Sequence, residues 1–375
     1  MLPSECSHSI RLGNLCVNCG KEVPNTELYS TLYTNSFLKA TKKGIKKITE
    51  KHTTEMLKSK KLALVIDIDQ TILHACPGHV MFGSILPEIH HIFVNSSPIT
   101  IKLRPNLDLF LSSLSKIYIL HIYTLGTREY ANKILELIDP SSFLFSNRVM
   151  TRSESYSTYK DIQKIFTSNK LHTVIIDDRA DVWNYCNNLF LIRPYKYFEY
   201  GDINEPISVS TIPDTSVESN TEINLSTNKI LEEKNKIEQN SFVSFQEKDK
   251  DLFLILNILK KIHKKFFFNC KKDVRKIVKK YRNKVFGGTN IHLCFNNLEF
   301  KNFIEILVEF YGGKCVDLRS ANIVVGNNGL DYKWIFESIF CYRMVDYDKY
   351  KSDTVSNRKC SCNDWEEEID KEFDF

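Results

Sequence analysis

Residues Leu62 to Ile66 form an apolar run, Leu-Ala-Leu-Val-Ile, that stops at Asp67-Ile68-Asp69-Gln70-Thr71. The run is long enough for one buried strand and too short for a helix. Side chains two apart on an extended backbone point the same way, so Asp67 and Asp69 are expected to project together from one strand end. Open α/β sheets bind ligands at such ends. Two like charges held that close repel each other. A metal cation, a shared proton or a chemical role for both relieves the repulsion. The competing reading is a solvated loop with two incidental acids.

Two more strand ends repeat the pattern. Ile117 to Thr124 is a β-rich run ending in a hydroxyl, and Thr173 to Asp177-Asp178 is a β-branched run ending in two acids. Lys160 lies between them, at the start of a segment with Ile162, Ile165 and Phe166 at helical spacing. Chance rarely produces strand-acids, strand-Thr, Lys and strand-acids in that order within about a hundred residues.

Residues 55–200 read as one α/β domain with a parallel sheet and flanking helices, because β and α patterns alternate. Arg104-Pro105 is expected to open a helix whose apolar face is Leu107, Phe110, Leu111 and Leu114. Tyr130, Ile134, Leu137 and Ile138 mark the next helix, and a last strand is expected around Leu189 to Ile192. Upstream, residues 1–24 hold Cys6-x-His8 and Cys16-x-x-Cys19-Gly20, four candidate ligands that suit a small zinc knuckle. The alternative there is a terminus with scattered cysteines.

Downstream, residues 203–250 are rich in Ser, Thr, Asn and Glu and read as a disordered linker. Residues 252–284 are helical and basic, with twelve Lys or Arg against one acid between Lys260 and Lys284. Such a run binds nucleic acid or another acidic partner, or is a plain solvated face. Phe266-Phe267-Phe268 is expected to pack against a neighbour. Residues 285–350 form another compact α/β unit, with strands Ile291–Phe295, Cys315–Leu318 and Ile323–Val325 and a helix carrying Trp334. In the tail, 351–375, seven acids from Asp364 to Phe375 interleave with Trp365, Ile369, Phe373 and Phe375, a pattern that suits docking to a basic groove.

The 375 residues suggest two or three domains, and no apolar run approaches a membrane span. No signal peptide is visible, and eleven irregularly spaced cysteines fit a reduced intracellular protein better than a disulfide scaffold.

Four motifs together resemble a known family. They are Asp67-Ile-Asp69-Gln70-Thr71, Tyr123-Thr124-Leu-Gly126-Thr127-Arg128, Ile138-Asp139-Pro140 and Ile175-Ile-Asp177-Asp178-Arg179-x-Asp181-Val-Trp183. They resemble the RNA polymerase II C-terminal-domain phosphatases of the haloacid-dehalogenase superfamily, closest to the transcription-factor-IIF-associated type. The Cys/His segment is similar to that type's N-terminus, Gly312-Gly313 with Trp334 to its BRCT domain, and the tail to its partner-binding C-terminus.

The resemblance implies a nuclear, Mg²⁺-dependent protein-serine phosphatase. Asp67 would be the nucleophile, and Asp69 the acid toward the leaving serine and then the base toward water. Mg²⁺ would be held by Asp67, the Asp69 backbone carbonyl and Asp178. Thr124 would bond the phosphoryl group, and Lys160, positioned by Asp177, would supply positive charge. Thr71, Arg104, Tyr118 and Asp139 also match positions the family needs for activity. The substrate would be the phosphorylated polymerase tail, with a general transcription factor on the acidic tail.

Asp69 to Arg104 is 35 residues and Thr124 to Lys160 is 36. Both gaps are expected to be used largely by elements of the sheet domain, with His74 to Pro98 long enough for a flap but hardly for a full cap. An open cleft suits an extended polypeptide. Two departures stand out. Thr151-Arg152-Ser153-Glu154 replaces the family's usual Ser-Arg-Asp-Glu, removing a charge near substrate. Phe295-Asn296-Asn297 replaces the Ser or Thr beside Gly of phosphopeptide-binding BRCT relatives, which favours docking or packing there. The other readings are a superfamily phosphatase acting on nucleic-acid 3′ ends and a non-catalytic scaffold.

Overall fold

The computed structural model describes residues 6–23, 29–30, 38–78, 89–155, 157–165, 170–198, 249–268, 273–327 and 329–351. The expected linker (up to residue 248), the tail from 352, Phe166 and the 79–88 part of the expected flap lie outside them. The chain divides into two compact units, residues 1–280 and 281–375.

The first unit begins with a four-stranded antiparallel sheet. It is made of β1 (Ile10–Leu12), β2 (Leu15–Cys16), β3 (Tyr29–Ser30) and β4 (Leu38–Ala40), in the order β2-β1-β4-β3. The Cys/His segment therefore belongs to a sheet that reaches residue 40 rather than to a 24-residue knuckle. Helix α1 (Lys42–Lys58) follows, with Thr41 as N-cap accepting from the Gly44 N–H.

Strand β5 (Leu62–Ile66) is buried on both faces, as its unbroken apolar run requires. The chain then makes a separate three-stranded antiparallel sheet from β6 (Leu73–Pro77), β7 (Ile89–Val94) and β8 (Ser97–Leu103), ordered β6-β8-β7. This small sheet occupies the stretch expected to be long enough for a flap. Alternation along β8 and β6 gave it away only weakly, because most of their residues are buried on both sides.

Helix α2 (Leu107–Ser115) starts two residues beyond Pro105. Asn106 adopts a left-handed conformation, φ +66°, which an Asn tolerates and a helix cannot contain. Next come β9 (Tyr118–Tyr123), α3 (Arg128–Ile138), β10 (Val149–Met150), the short α4 (Arg152–Ser155) and α5 (Ile162–Ile165), β11 (Thr173–Asp177) and β12 (Leu189–Leu191). Strands β5, β9, β10, β11 and β12 form one all-parallel sheet in the order β10-β9-β5-β11-β12. The chain leaves β5 first to one side and then to the other, so β5 lies at the topological switch point, where a ligand crevice opens at the carboxyl ends.

Two helices follow, α6 (Asp251–Phe268) in the first unit and α7 (Val274–Phe286), which runs across the boundary at residue 280. The basic segment is thus two helices. The first packs on the parallel-sheet part of this unit. Tyr118 donates its hydroxyl hydrogen to the Leu259 carbonyl at 2.8 Å, and Arg104 pairs with Asp249 and Asp251, both at 3.0 Å. Phe266 packs its ring edge-on to His172, as expected of that cluster, while Phe268 is exposed.

His121, in the middle of β9, is fully enclosed, and burial followed by the Arg148 charge pushes its pKa down to about 3. A histidine held neutral in the fold but free to protonate when unfolded costs stability in acid. Its contribution is constant above about pH 6.5 and is lost as pH falls toward 3, at up to about 1.4 kcal/mol per unit. In urea titrations, His121→Gln is expected to flatten the wild-type decline between pH 6.5 and 4.5 by roughly 2 kcal/mol. Equal slopes for the two proteins count against this.

In the second unit, β13 (Asn290–Cys294), β14 (Lys314–Cys315) and β15 (Ile323–Gly326) form a parallel sheet ordered β14-β13-β15, with helices α8 (Leu298–Phe310) and α9 (Lys333–Phe340). The expected strand Cys315–Leu318 stops early because Leu318–Ser320 turns into a 3-10 helix with Leu318 exposed. Gly312, at φ +89°, makes the turn after α8. Trp334 is buried and donates its indole N–H to the Val345 carbonyl at 2.9 Å.

Candidate active site

The sheet brings the three sequence-marked strand ends to one edge. Asp67 follows β5, Thr124 follows β9, and Asp177-Asp178 closes β11. Lys160 enters between them, its backbone N–H held by the Val182 carbonyl at 2.8 Å. Its ammonium bridges two carboxylates, with Nζ 2.5 Å from Asp67 Oδ1 and 2.6 Å from Asp177 Oδ2. All three side chains are buried.

Asp177 is saturated. Oδ2 also accepts the indole N–H of Trp183 at 2.7 Å, and Oδ1 accepts the Arg179 backbone N–H at 2.9 Å. It therefore fixes Lys160 rather than facing a ligand. Asp178 is half-buried. Its Oδ1 accepts from the Thr71 hydroxyl at 3.3 Å, and its backbone N–H donates to the Thr71 hydroxyl oxygen at 3.2 Å, so Thr71 orients Asp178.

Asp69 is half-buried at the mouth of the site. The Tyr130 hydroxyl, on α3, donates to Asp69 Oδ1 at 2.6 Å. Gly126 makes this arrangement fit, because a Cβ there would sit 2.8 Å from the Tyr130 ring and 3.2 Å from Thr124 Oγ1. Thr124 is buried, and Oγ1 accepts the Gly126 N–H at 2.9 Å, leaving its hydroxyl hydrogen to donate elsewhere.

Carboxylate oxygens of Asp67, Asp177 and Asp178 lie within 4.8 Å of one another. Burial, and then the Asp177 charge, push Asp67 well above the usual carboxylate range, with Lys160 opposing. The same two causes push Asp178 up to about 7. Burial disfavours the Lys160 charge, yet Asp177 and Asp67 outweigh it and hold the ammonium protonated. One lysine thus balances fewer charges than the cluster carries. A hard divalent cation on the oxygen donors of Asp67 and Asp178 would reverse both upward shifts, so these residues fit such an ion.

Three other expected residues are bonded to the scaffold around the site. The Arg104 guanidinium is wholly engaged, with the Thr71 carbonyl (3.0 Å), the Arg193 carbonyl (2.9 Å), Asp249 and Asp251, and it lies over the Tyr195 ring. Tyr118 is core, bonded to α6. Asp139 caps a turn by accepting the N–H groups of Phe143, Leu144 and Phe145, each at 2.9 Å. The sequence reading missed Tyr130, counted there as part of an apolar stripe, and gave Trp183 no role. A hydroxyl in that stripe was the one available signal.

Cys6, His8, Cys16 and Cys19 come together as a second cluster, apart from the carboxylates.

Residues 62–210 match the family described as NLI interacting factor-like phosphatase. An RNA polymerase II C-terminal domain phosphatase of Encephalitozoon cuniculi is 30% identical, across 98% of this chain and 99% of that protein. Its counterpart from Schizosaccharomyces pombe is 31% identical over 56% of this chain, but that stretch is only 33% of its own length. Among solved structures, the fission yeast RNA polymerase II CTD phosphatase Fcp1, as a variant bound to beryllium fluoride, superposes with a TM-score of 0.64. It is 24% identical and covers 81% of this chain and 99% of its own, a likeness of fold.

Proposed function

Because the chain belongs to the RNA polymerase II C-terminal domain phosphatases, on a haloacid-dehalogenase-like fold, we propose that it removes phosphate from serines of the polymerase's C-terminal heptad repeats. The observation that carries this reading is the buried Asp67–Lys160–Asp177 bridge beside Asp178 and Asp69 at the switch point of the sheet. A binding scaffold has no use for a lysine and carboxylates buried together at such cost.

Asp67 attacks the phosphorus of phosphoserine, and the bond from phosphorus to the serine oxygen breaks. Asp69 gives its proton to that oxygen, with Tyr130 setting which carboxylate oxygen is free to do so. Water then attacks phosphorus, Asp69 takes its proton, and Asp67 is released. Throughout, Lys160 offsets charge on Asp67 and the transferring oxygens, and the Thr124 hydroxyl points a donor at them. Asp67, the Asp69 carbonyl and Asp178 would hold Mg²⁺, which supplies positive charge to the phosphoryl oxygens.

The first inter-motif gap forms a three-stranded sheet of its own, and an open approach past half-buried Asp69 and Asp178 supports an extended peptide as substrate. Such a substrate places the protein in the nucleus. The second unit is read as a BRCT-like docking module, and the acidic tail as the contact for a general transcription factor. Among the described residues, no helix is long and apolar enough to cross a membrane.

Turnover on a phosphoserine heptad peptide and on a 3′-phosphorylated oligonucleotide separates the substrate classes. The peptide is expected to be the better substrate by at least tenfold in kcat/KM. Preference for the oligonucleotide overturns the polymerase reading and moves weight to the basic stretch 260–284.

A further inference from the structure

We propose that Cys6, His8, Cys16 and Cys19 hold one structural Zn²⁺ that staples the N-terminal sheet to helix α1. The proposal is independent of the reading of the carboxylate site.

The geometry matches a closed tetrahedral site. Cys6 Sγ lies 3.6 Å from Cys16 Sγ, and Cys19 Sγ lies 3.3 Å from His8 Nδ1. All four ligand atoms fall within 4.8 Å of one another. Tetrahedral bonds of about 2.3 Å to sulfur and 2.0–2.1 Å to nitrogen put sulfurs ~3.8 Å apart and sulfur ~3.6 Å from nitrogen. The cluster thus needs shifts of only a few tenths of an ångström along the pairs given. The Cys6–Cys16 separation is also far from the ~2.05 Å of a disulfide, and both cysteines are free.

The backbone is built to present these four atoms. Cys16 ends β2, the Gly20 N–H returns to the Cys16 carbonyl at 2.8 Å, and Gly20 takes φ +72°. Leu15 and Glu22 bridge behind the turn. The backbone N–H groups of Asn18 and Cys19 are directed at the Cys16 sulfur, which suits a metal-bound thiolate. His8 adopts φ +44°, unusual for a histidine, and its carbonyl is held by Nε of the buried Arg11 at 3.3 Å. That pins the strained residue at the position where Nδ1 faces Cys19.

The ligand loop sits directly on α1. The Thr41 N–H donates to the Ser9 carbonyl at 3.0 Å, and a Cβ on Gly44 would lie 2.4 Å from that carbonyl oxygen. Among the described residues, this little sheet buries few apolar side chains. Leu12, Leu15 and Val17 are each about half exposed, so packing alone stabilises it poorly. Three thiolates and a neutral imidazole select Zn²⁺ over the hard ion suited to the carboxylates. Binding releases the three thiol protons.

The test uses the full chain, reduced and purified without chelator. Atomic emission is expected to give about one zinc per chain, retained in Asp67→Asn and lost in Cys16→Ser and Cys19→Ser. Should those variants fail to fold, the wild-type apoprotein titrated with Co²⁺ alone gives the answer. Strong visible bands of tetrahedral Co²⁺ with a sulfur-to-cobalt charge-transfer band are expected, displaced by Zn²⁺. Removing the zinc is expected to lower the melting temperature while leaving phosphatase kcat within about twofold. A reduced wild-type chain with no zinc and no tetrahedral cobalt spectrum overturns the proposal, as does a Cys6–Cys16 disulfide in the reduced-purified protein.

Discussion

Asp67→Asn abolishes phosphate release, by roughly 10³-fold or more, while the protein stays folded. A loss of that size is about 4 kcal/mol of barrier or more, the scale expected when a covalent nucleophile is removed. Asparagine has the shape of aspartate and no charge. In the wild type, burial and the charge of Asp177 already disfavour an ionised Asp67. Neutralising it relieves repulsion with Asp177 and Asp178, and Lys160 keeps its 2.6 Å contact to Asp177. The melting temperature is therefore expected to hold or rise. Retained turnover sinks the nucleophile assignment, and a collapsed fold shows that Asp67 is structural.

Lys160→Met removes both activity and stability. The methionine fills the same space but leaves Asp67 and Asp177 buried with no cation between them. Breaking a buried pair from one side costs about 3–5 kcal/mol. In a domain of this size that is on the order of 10 °C in Tm. Turnover is expected to fall by roughly 10³-fold, because the phosphoryl oxygens and Asp67 lose their nearest positive charge. The pH dependence distinguishes this cause from a packing defect. Without the ammonium, the Asp67 carboxyl, already pushed well above the usual range by burial and the Asp177 charge, is raised further. A raised carboxyl pKa means the folded state binds more protons, so the variant regains stability as pH falls through that pKa. Its deficit relative to wild type is expected to shrink as pH falls from the variant's raised Asp67 pKa toward that of the wild type. A deficit independent of pH means that lost packing, not lost charge, is responsible.

The parts of the fold that were legible in the sequence are those governed by strong local signals. The β5 run was readable because a strand buried on both faces has no polar alternation to confuse it. The polar residues ending β5, β9 and β11 were readable because the sheet is parallel, so every strand delivers its last residue to the same edge. The antiparallel sheet after Thr71 was not, since most residues of β6 and β8 are buried and show no alternating period. The place of α6 was also hidden. Its stripe says that it packs, but only the Tyr118–Leu259 and Arg104–Asp251 contacts say against what.

Within the site, chemistry was more legible than direction. Arg104 matched a position the resembled family needs for activity, and its guanidinium is engaged by the Thr71 and Arg193 carbonyls and two aspartates. Asp139 matched a position the resembled family needs for activity, and it satisfies three backbone donors of a turn. Residue type showed that each has something to bind; only the fold shows that each has already bound it. Tyr130 is the reverse case, an apparently apolar helix position whose hydroxyl reaches the expected acid.

The most direct measurement is phosphate release by the wild-type chain from a doubly phosphorylated Ser-Pro heptad peptide, first with Mg²⁺, then with EDTA, then with Mg²⁺ restored. Release that stops on chelation and returns with Mg²⁺ is the predicted result, with zinc unable to substitute. Release that continues unchanged in EDTA contradicts the account of a carboxylate cluster completed by a hard cation, and no release under any condition contradicts the assignment of a phosphoserine peptide as substrate.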